Sequence, residues 1–192
     1  MDIILKDVCK VYDQTKVLEN FTQVFKAGEK YYLKGNSGAG KTTLLRILMG
    51  LETIDSGNIL NLSNYKISAV FQEYRLVEEI SSIRNIAFVT GKGNELIMNY
   101  LKKFGLNGFE FVPVNKLSGG MKQRVSIIRA ILAPFDLLIL DEPFKGLDEN
   151  IKNIIINEMI EIVKDKTVIL TTHLENEVTK LNIKNIIKLD KL

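Results

Sequence analysis

The residues best suited to chemistry in this sequence are glycines and a lysine at fixed spacing between positions 35 and 42. The segment reads GNSGAGKT and fits the pattern G-x-x-x-x-G-K-[ST] at every fixed position. Glycines let the chain curl so that backbone N–H groups point at phosphate oxygens, and the following helix adds positive potential. Lys41 offers a charge to the β- and γ-phosphates, and the Thr42 hydroxyl suits Mg²⁺. The pattern at residues 35–42 therefore predicts a loop that binds the phosphates of a nucleoside triphosphate, and it disfavours a glycine-rich turn with an incidental lysine.

An acidic pair follows an apolar run in the last third of the sequence. The run LLIL at positions 137–140 leads directly into Asp141 and Glu142. At the carboxyl end of a parallel strand, Asp141 would lie where open α/β sheets bind ligands. We expect Asp141 to hold Mg²⁺ through water and Glu142 to polarise the attacking water as a general base. The competing interpretation is a surface acidic pair at a strand end, which the upstream phosphate loop disfavours.

Short apolar runs alternate with helical patterns, which indicates an α/β architecture that positions these residues. An amphipathic stripe over 96–104 ends at Gly105 and favours a small helical subdomain inserted at about 75–133. The segments 27–29 and 55–57 are interpreted as turns. The predicted strands are 3–5, 21–25, 31–33, 67–71, 137–140, 167–170 and 186–189, and the further helices are 41–49, 118–134 and 151–162.

The composition is that of an ordinary globular chain, with 192 residues, 46% apolar, 26% charged and a formal net charge of +3. The apolar fraction is too high and the net charge too low for a disordered chain. The uncharged apolar runs are far shorter than the about 20 residues of a membrane-spanning helix, and no signal peptide is expected. Cys9 is the only cysteine, so we expect a reducing compartment. The mild basicity favours a lysine-rich surface over nucleic-acid binding.

A second glycine motif carries a resemblance to a known family. The segment LSGGMKQR at positions 117–124 resembles the LSGGQ signature of ABC ATPases, with Met121 where glutamine is commoner. Two glycines at a helix start expose N–H groups, which makes a second phosphate site that has no lysine. The resemblance implies that a head-to-tail pair of chains, assembled with ATP, completes both sites, with Ser118 and Gly120 closing the opposite subunit's site. Without the resemblance, Ser118 is simply a helix cap.

The remaining landmarks occur in the family's order. Tyr12 matches the aromatic that stacks on adenine, Gln72 matches the glutamine that senses Mg²⁺ and the γ-phosphate, and His173 matches the histidine that reads the γ-phosphate. The segment GLD at 146–148 matches the loop that contacts the opposite subunit, but Lys145 stands where the family usually has serine. Taken singly, the first three residues are equally a packed aromatic, a loop amide and an ordinary histidine.

The resemblance implies ATP and Mg²⁺ as cofactors of a P-loop NTPase. The expected fold is α/β with a mainly parallel core sheet, an N-terminal antiparallel β subdomain and an inserted helical subdomain, in a single domain over 1–192. Catalysis is assigned to Lys41, Gln72, Glu142 and His173, and Mg²⁺ binding to Thr42, Gln72 and Asp141. The nucleotide-binding residues are Tyr12, Gly35, Asn36, Ser37, Gly38, Ala39, Gly40, Lys41, Thr42, Thr43 (near the α-phosphate), Ser118, Gly119 and Gly120.

Among the roles found in the family, the sequence favours the ATP-hydrolysing subunit of a transporter. No coiled coil fills the segment between Lys41 and Asp141, and one cassette with no spanning segment fits a division of labour with separate membrane subunits. We expect a bacterial protein at the cytoplasmic face of the membrane, with residues 73–86 against its partner and no direct contact with nucleic acid. The string VFQEYRL is similar to one in nitrate, sulfonate and taurine importers. The alternative is a soluble ABC-type ATPase acting in regulation or on nucleic acid or ribosomes.

Overall fold

Strands and helices alternate along residues 1–190, the part of the chain that the computed structural model describes. The strands of this part are β1 (Ile3–Tyr12), β2 (Thr15–Phe25), β3 (Lys30–Lys34), β4 (Ser56–Leu60), β5 (Ile67–Val70), β6 (Leu137–Asp141), β7 (Thr167–Thr171) and β8 (Asn185–Lys188). Its α-helices are α1 (Lys41–Leu48), α2 (Ser82–Thr90), α3 (Asn94–Lys103), α4 (Gly119–Leu132), α5 (Glu149–Ile162) and α6 (Glu175–Lys180). None of these helices within residues 1–190 is long and apolar enough to cross a membrane.

The first strand is the middle of a three-stranded antiparallel sheet with the order β2-β1-β4. β1 and β2 form a hairpin in which Tyr12 pairs with Thr15. The two residues between them, Asp13 and Gln14, both have positive φ, as the twist of a tight hairpin requires. The inner face of β1 is fully buried at Ile3, Leu5 and Val8. The expected N-terminal antiparallel subdomain is therefore present.

The second sheet has five strands in the order β5-β6-β7-β3-β8. β3 pairs in parallel with β7 and β8, and β6 pairs in parallel with β7. The central strands are buried along nearly their whole length, which explains why 137–140 is a continuous apolar run instead of an alternating pattern. Because β6, β7 and β3 are neighbours, the loops that leave their carboxyl ends meet at one edge of this sheet.

The chain divides into two compact units. Among the described residues the first comprises 1–69, 135–141 and 164–190, and it contains both sheets except the last residue of β5, together with helix α1. The second comprises 70–134 and 142–163. The helical subdomain expected at about 75–133 lies inside the second unit, which also includes α5.

Helices α2, α3 and α4 pack against one another in the second unit. Their shared core is fully buried at Ile86, Ile97, Leu101, Phe104 and Val125. The stripe expected on α3 is thus the face that meets its neighbours. Helix α2 was not predicted, because its sequence SIRNIAFVT lacks a clear one-sided stripe and exposes Phe88 and Val89.

The turn predicted at 55–57 is wrong, because β4 begins at Ser56. The glycine serves a different purpose there. Gly57 has φ +95°, and a Cβ built on it would lie 2.4 Å from the carbonyl oxygen of Asp7. The pairing of β1 with β4 shifts register between Lys6 and Cys9, opposite this residue. Gly57 therefore permits an irregularity within the sheet, where glycine is also favoured.

A buried asparagine side chain holds the segment that leads into α2. Asn85 is 3% exposed and accepts a hydrogen bond from the Val77 N–H at 2.8 Å. Its amide donates to the carbonyl oxygens of Val77 at 2.9 Å, Ile80 at 3.3 Å and Ser81 at 3.2 Å. One side chain thus pairs both backbone groups of Val77 and adds a second hydrogen bond to the carbonyl oxygens of Ile80 and Ser81.

We expect Asn85→Leu to destabilise the protein by about 1–3 kcal/mol, because the loop's polar groups lose their buried partner. The matched control is Asn99→Leu, at an exposed position of α3, where the change should stay within about 0.5 kcal/mol. Denaturant unfolding of both variants measures the difference. Equal stability of the two variants would show that the Asn85 network contributes nothing.

Candidate functional site

The predicted phosphate loop connects β3 to α1 in the first unit. Gly38 and Gly40 have φ values of +81° and +87°, a region that favours glycine. A Cβ on Gly40 would lie 2.8 Å from the Val17 carbonyl oxygen, and one on Gly35 would lie 2.4 Å from that of Leu189. The glycines are therefore required both by backbone conformation and by close packing, which leaves the loop as bare main chain.

The start of α1 has the character of an anion-binding site. Among the described residues no side chain caps this helix, and its first turn carries no acidic residue. Its first N–H groups and its dipole therefore face the loop 35–40. The Lys41 ammonium donates to the carbonyl oxygens of Gly35 at 2.6 Å and Asn36 at 2.9 Å, so its charge lies over the same loop.

The acidic residue expected at the strand end lies at the same edge of the parallel sheet. Asp141 is the last residue of β6, and its Cα pairs with that of Thr171 on β7. The Thr171 hydroxyl donates to Asp141 Oδ1 at 2.5 Å and so fixes the orientation of the carboxylate. Mg²⁺ in nucleotide sites uses one or two carboxylates together with phosphate oxygens and water. The donors Thr42 and Asp141 fit that requirement.

His173 follows β7 in the first unit and lines a cavity of about 310 Å³ together with Gly35 and Asn36 of the phosphate loop. The backbone before it is anchored, since the Tyr32 hydroxyl donates to the Thr172 carbonyl oxygen at 3.2 Å. The structure therefore brings the histidine and the beginning of the loop to one cavity. This proximity follows from the strand order, in which β7 and β3 are neighbours.

Tyr12 lies at the end of β1 with 39% of its surface exposed. Its hydroxyl donates to Glu52 Oε2 at 2.8 Å. Burial of the phenol and this hydrogen bond raise the pKa of Tyr12, while an interaction with the Thr43 hydroxyl lowers it. Through its hydroxyl group, Tyr12, the candidate base-stacking residue, thus interacts with Thr43 in α1. Sequence patterns did not point to Glu52, because its contact with Tyr12 spans 40 positions.

A larger cavity of about 650 Å³ occupies the second unit. It brings together residues that are far apart in sequence: the predicted Gln72 and Glu142, and both signature glycines. The lining residues are Gln72, Glu73, Tyr74, Gly119, Gly120, Gln123, Glu142, Lys145 and Gly146. The Gln72 amide, the Glu142 carboxylate and the glycines at the start of α4 therefore line one cavity.

The signature segment forms the start of α4. The Ser118 hydroxyl accepts a hydrogen bond from the Met121 N–H at 3.3 Å, so this residue is a helix cap in the structure. A Cβ on Gly119 would lie 2.9 Å from the Tyr74 hydroxyl, and one on Gly120 would lie 3.1 Å from the Gly146 carbonyl oxygen. The two glycines therefore let neighbouring loops approach the helix start closely.

Two side chains of α4 hold the loops that carry Gln72 and Glu142, and sequence reasoning missed both. Arg129 donates to the carbonyl oxygens of Tyr74 at 3.0 Å and Arg75 at 2.5 Å. Burial lowers the pKa of Arg129. Gln123 is 3% exposed and donates to the Pro143 carbonyl oxygen at 2.6 Å. Gln123 lies within the signature segment 117–124 and Arg129 lies beyond it, but each acts on distant main-chain atoms that no sequence pattern reveals.

The unusual lysine of the loop 144–148 lies beside the candidate base. Lys145 Nζ is 3.6 Å from Glu142 Oε2, and Glu142 itself has φ +48° immediately before a proline. This backbone conformation is strained for a residue with a side chain. Lys145 is 66% exposed, so the ion pair contributes little to stability. Asp148, the last residue of the motif, caps α5 by accepting from the Ile151 N–H at 3.0 Å.

The candidate site residues thus fall into two sets. The first unit holds Tyr12, the loop and helix start 35–43, Asp141 and His173. The second holds Gln72, Ser118–Gly120 and Glu142. The boundary passes between Asp141 and Glu142, so the two acids of the predicted pair belong to different units.

Comparison with known proteins agrees with this fold and these motifs. The model of the family described as ABC transporter matches residues 18–145. The curated spermidine/putrescine import ATP-binding protein of Lawsonia intracellularis is 36% identical over 91% of this chain, and that of Clostridioides difficile is 36% identical over 91%. The one of Spiroplasma citri is 35% identical over 97%. These alignments cover 52%, 56% and 58% of the relatives, so the chain spans about half the length of the curated relatives it matches.

Solved structures extend the agreement to the fold of the whole described chain. A dimeric post-hydrolysis structure of the ATP-binding cassette MJ0796 bound to ADP and Pi superposes with a TM-score of 0.85 at 26% identity, covering 97% of this chain and 94% of that one. A dimeric structure of MJ0796 described as a bacterial ABC transporter cassette gives 0.85 at 27% identity, covering 98% and 94%. The expected ABC ATPase fold is confirmed, and the chain belongs to the ABC transporter ATP-binding family.

Proposed function

We propose that this chain binds and hydrolyses ATP as the nucleotide-binding subunit of an ABC transporter, and so energises transport through separate membrane-spanning subunits. The observation that carries the proposal is the presence of two different phosphate-binding helix starts in one chain. One, at α1, has glycines and a lysine, and the other, at α4, has glycines without a lysine. The resemblance to the ABC ATPase signature implies that one nucleotide lies between the α1 start of one chain and the α4 start of a second chain, and we infer the same arrangement here.

In this proposal the first unit binds the nucleotide. Tyr12 stacks on adenine, residues 35–42 wrap the phosphates, and Thr43 lies near the α-phosphate. Thr42 and Asp141 hold Mg²⁺, and the metal neutralises phosphate charge when bound. His173 donates to the γ-phosphate, which its place in the cavity with Gly35 and Asn36 supports.

Glu142 is proposed as the base for the attacking water. It accepts a proton from the water whose oxygen forms a bond to the γ-phosphorus, while the bond to the β-phosphate oxygen breaks and leaves ADP and phosphate. A carboxylate can serve at this position because its loop is held by Gln123 through the Pro143 carbonyl oxygen. Most of the rate enhancement comes from positioning and charge stabilisation by Lys41 and the N–H groups, because phosphoryl transfer asks for little covalent chemistry.

The proposed assembly is a head-to-tail pair in which Ser118 and the signature glycines of one chain face the nucleotide of the other. The cavity of the second unit supports this, because its lining includes Gly119 and Gly120 beside Gln72 and Glu142. The comparison structures of MJ0796 are dimers. The copy that completes each site is proposed to be a second ATPase subunit bound with ATP.

The membrane partner is proposed to contact the segment 73–86 and the end of α2. Large apolar side chains are exposed there, with Val77 at 52%, Phe88 at 88% and Val89 at 52%. Such a patch on a protein surface marks an interaction site. We place the chain at the cytoplasmic face of the membrane through this contact.

The proposed direction of transport is based on the relatives to which the chain is similar. The curated relatives quoted above are import ATP-binding proteins for spermidine and putrescine, so we propose that this chain energises import. They do not support the nitrate, sulfonate or taurine subtype suggested by the string VFQEYRL. In a division of labour of this kind, the cargo is chosen by the subunits that contact it.

Replacing the lysine of the phosphate loop tests nucleotide binding directly. We expect Lys41→Ala to abolish detectable binding at micromolar ATP, because the charge over the loop is lost. The control is Lys92→Ala at an exposed position after α2, which should bind like the parent. Isothermal titration with ATP and Mg²⁺ measures both, and unchanged binding by Lys41→Ala would refute the assignment of the loop.

Replacing the proposed base separates binding from hydrolysis. We expect Glu142→Gln to bind ATP, to hydrolyse it at least about 10²-fold more slowly and to accumulate as an ATP-bound dimer. Phosphate release and size-exclusion chromatography measure the two effects. The matched control is Glu161→Gln at an exposed position of α5, which should retain parent activity. Hydrolysis by Glu142→Gln at the parent rate means that another group activates water.

Co-purification from detergent extract of native membranes distinguishes a transporter subunit from a soluble ATPase. We expect a stoichiometric membrane protein with several spanning segments, and we expect Phe88→Asp to lose it while still binding ATP. Leu60→Asp, at an exposed apolar position of β4 in the first unit, is the control that should keep the partner. Association with ribosomes or DNA instead would favour the alternative function.

A further inference from the structure

A lysine in β1 is almost completely buried two residues before Tyr12. Lys10 is 6% exposed, which is rare for a lysine unless its charge is paired. Its ammonium lies 3.0 Å from Glu52 Oε1 and 3.4 Å from Asp55 Oδ1. Both acids follow α1 in the chain, so the pairing fastens the end of β1 to the segment after that helix.

The same ammonium lies over the ring of Tyr12, 5.1 Å from its centroid. This distance is within the range of a cation–π contact. Glu52 joins the two residues, because its Oε2 accepts from the Tyr12 hydroxyl at 2.8 Å while its Oε1 pairs with Lys10. One carboxylate thus holds both the ring's hydroxyl and the cation that covers the ring.

The charges of the pair reinforce each other. The hydrogen bond to Glu52 raises the pKa of Lys10, and the hydrogen bond from Lys10 lowers the pKa of Glu52. Both groups therefore stay ionised over a wide range of pH. The backbone is fixed as well, since Asp55 accepts from the Val11 N–H at 2.7 Å.

The position of Glu52 connects this arrangement to the phosphate loop. Helix α1 begins at Lys41 and ends at Leu48, four positions before Glu52. The helix that presents N–H groups to phosphate at its start therefore carries, just past its end, the acid that holds Tyr12. Tyr12 is thus tied to the segment that directly follows the phosphate-loop helix.

We propose that Lys10 and Glu52 are positioning residues for the nucleobase: they fix the Tyr12 ring with one face against the ammonium and leave the other face for adenine. The inference rests on the proposed function, in which Tyr12 stacks on the base. It adds two residues that lie outside every motif. A purely structural role for the pair predicts a different outcome, namely equal effects on ligands with and without a base.

The test compares MgATP with magnesium tripolyphosphate, which has the phosphates and no base, by isothermal titration of the full chain. We expect Lys10→Met to raise the Kd for ATP about 3- to 10-fold, the scale of one cation–π contact. The Kd for tripolyphosphate should change less than about 2-fold, since no residue of the phosphate loop is altered. Lys10→Arg, which keeps the charge over the ring, should restore ATP affinity.

Two further variants serve as a substitute for Lys10→Met and as a control for the loss of a lysine. Glu52→Gln keeps the shape of the acid and an acceptor for the Tyr12 hydroxyl, and it should weaken ATP selectively if Lys10→Met proves too unstable to study. Lys16→Met removes an exposed lysine that pairs with Glu19 on β2, and it should leave both affinities unchanged. Thermal unfolding of each variant reports whether the fold is retained.

A double substitution shows whether Lys10 acts through Tyr12. In a Tyr12→Ala background, Lys10→Met should have no additional effect on ATP affinity. An additional loss there, or equal losses for ATP and tripolyphosphate in the single variant, would overturn the proposal. Failure of the parent chain to bind either ligand would instead refute the proposed function, and an unchanged Kd for ATP in Tyr12→Ala would refute the base-stacking assignment.

Discussion

The arrangement of this protein depends on one kind of interaction, the hydrogen bond that a backbone N–H group at a helix start can donate to a phosphate oxygen. A phosphate oxygen can be reached by main chain only where side chains are missing, and this places glycines at 35, 38 and 40 and again at 119 and 120. Each glycine is also enclosed or conformationally constrained, as the contacts of Gly35, Gly40 and Gly119 show. The two sheets and the helical unit position two glycine-containing helix starts.

The starts of α1 and α4 differ in whether a side chain caps the helix. At α4 the Ser118 hydroxyl already accepts a hydrogen bond from the helix, so part of its N–H capacity is used within the chain. At α1 no described side chain caps the helix, and a lysine charge lies over the loop instead. The α1 start therefore leaves more of its N–H groups for an anion than the α4 start does.

The sequence predicted the parts of the site that depend on local pattern. The loop 35–42 and the strand ending at Asp141 were predictable because the glycine spacing and the apolar run are contiguous. The β-strand at 56–60 was misread as a turn, because Gly57 serves a bulge whose cause is a neighbouring strand. Arg129, Lys10 and Glu52 were missed for the same physical reason: each acts on a partner 40 or more positions away, which only the folded chain brings close.

In the proposed site, nucleotide recognition combines two kinds of contact, which differ in how well they tolerate amino-acid substitutions. In the proposed site the phosphates are met by main chain, where a side chain at Gly35 or Gly40 would meet a carbonyl oxygen. In the proposed site the base is met by the Tyr12 side chain, whose ring is oriented by the Lys10–Glu52 ion pair, and neither Lys10 nor Glu52 belongs to the phosphate loop. Changes at positions 10 and 52 could therefore adjust affinity for the base while leaving phosphate binding, and with it the chemistry of hydrolysis, intact.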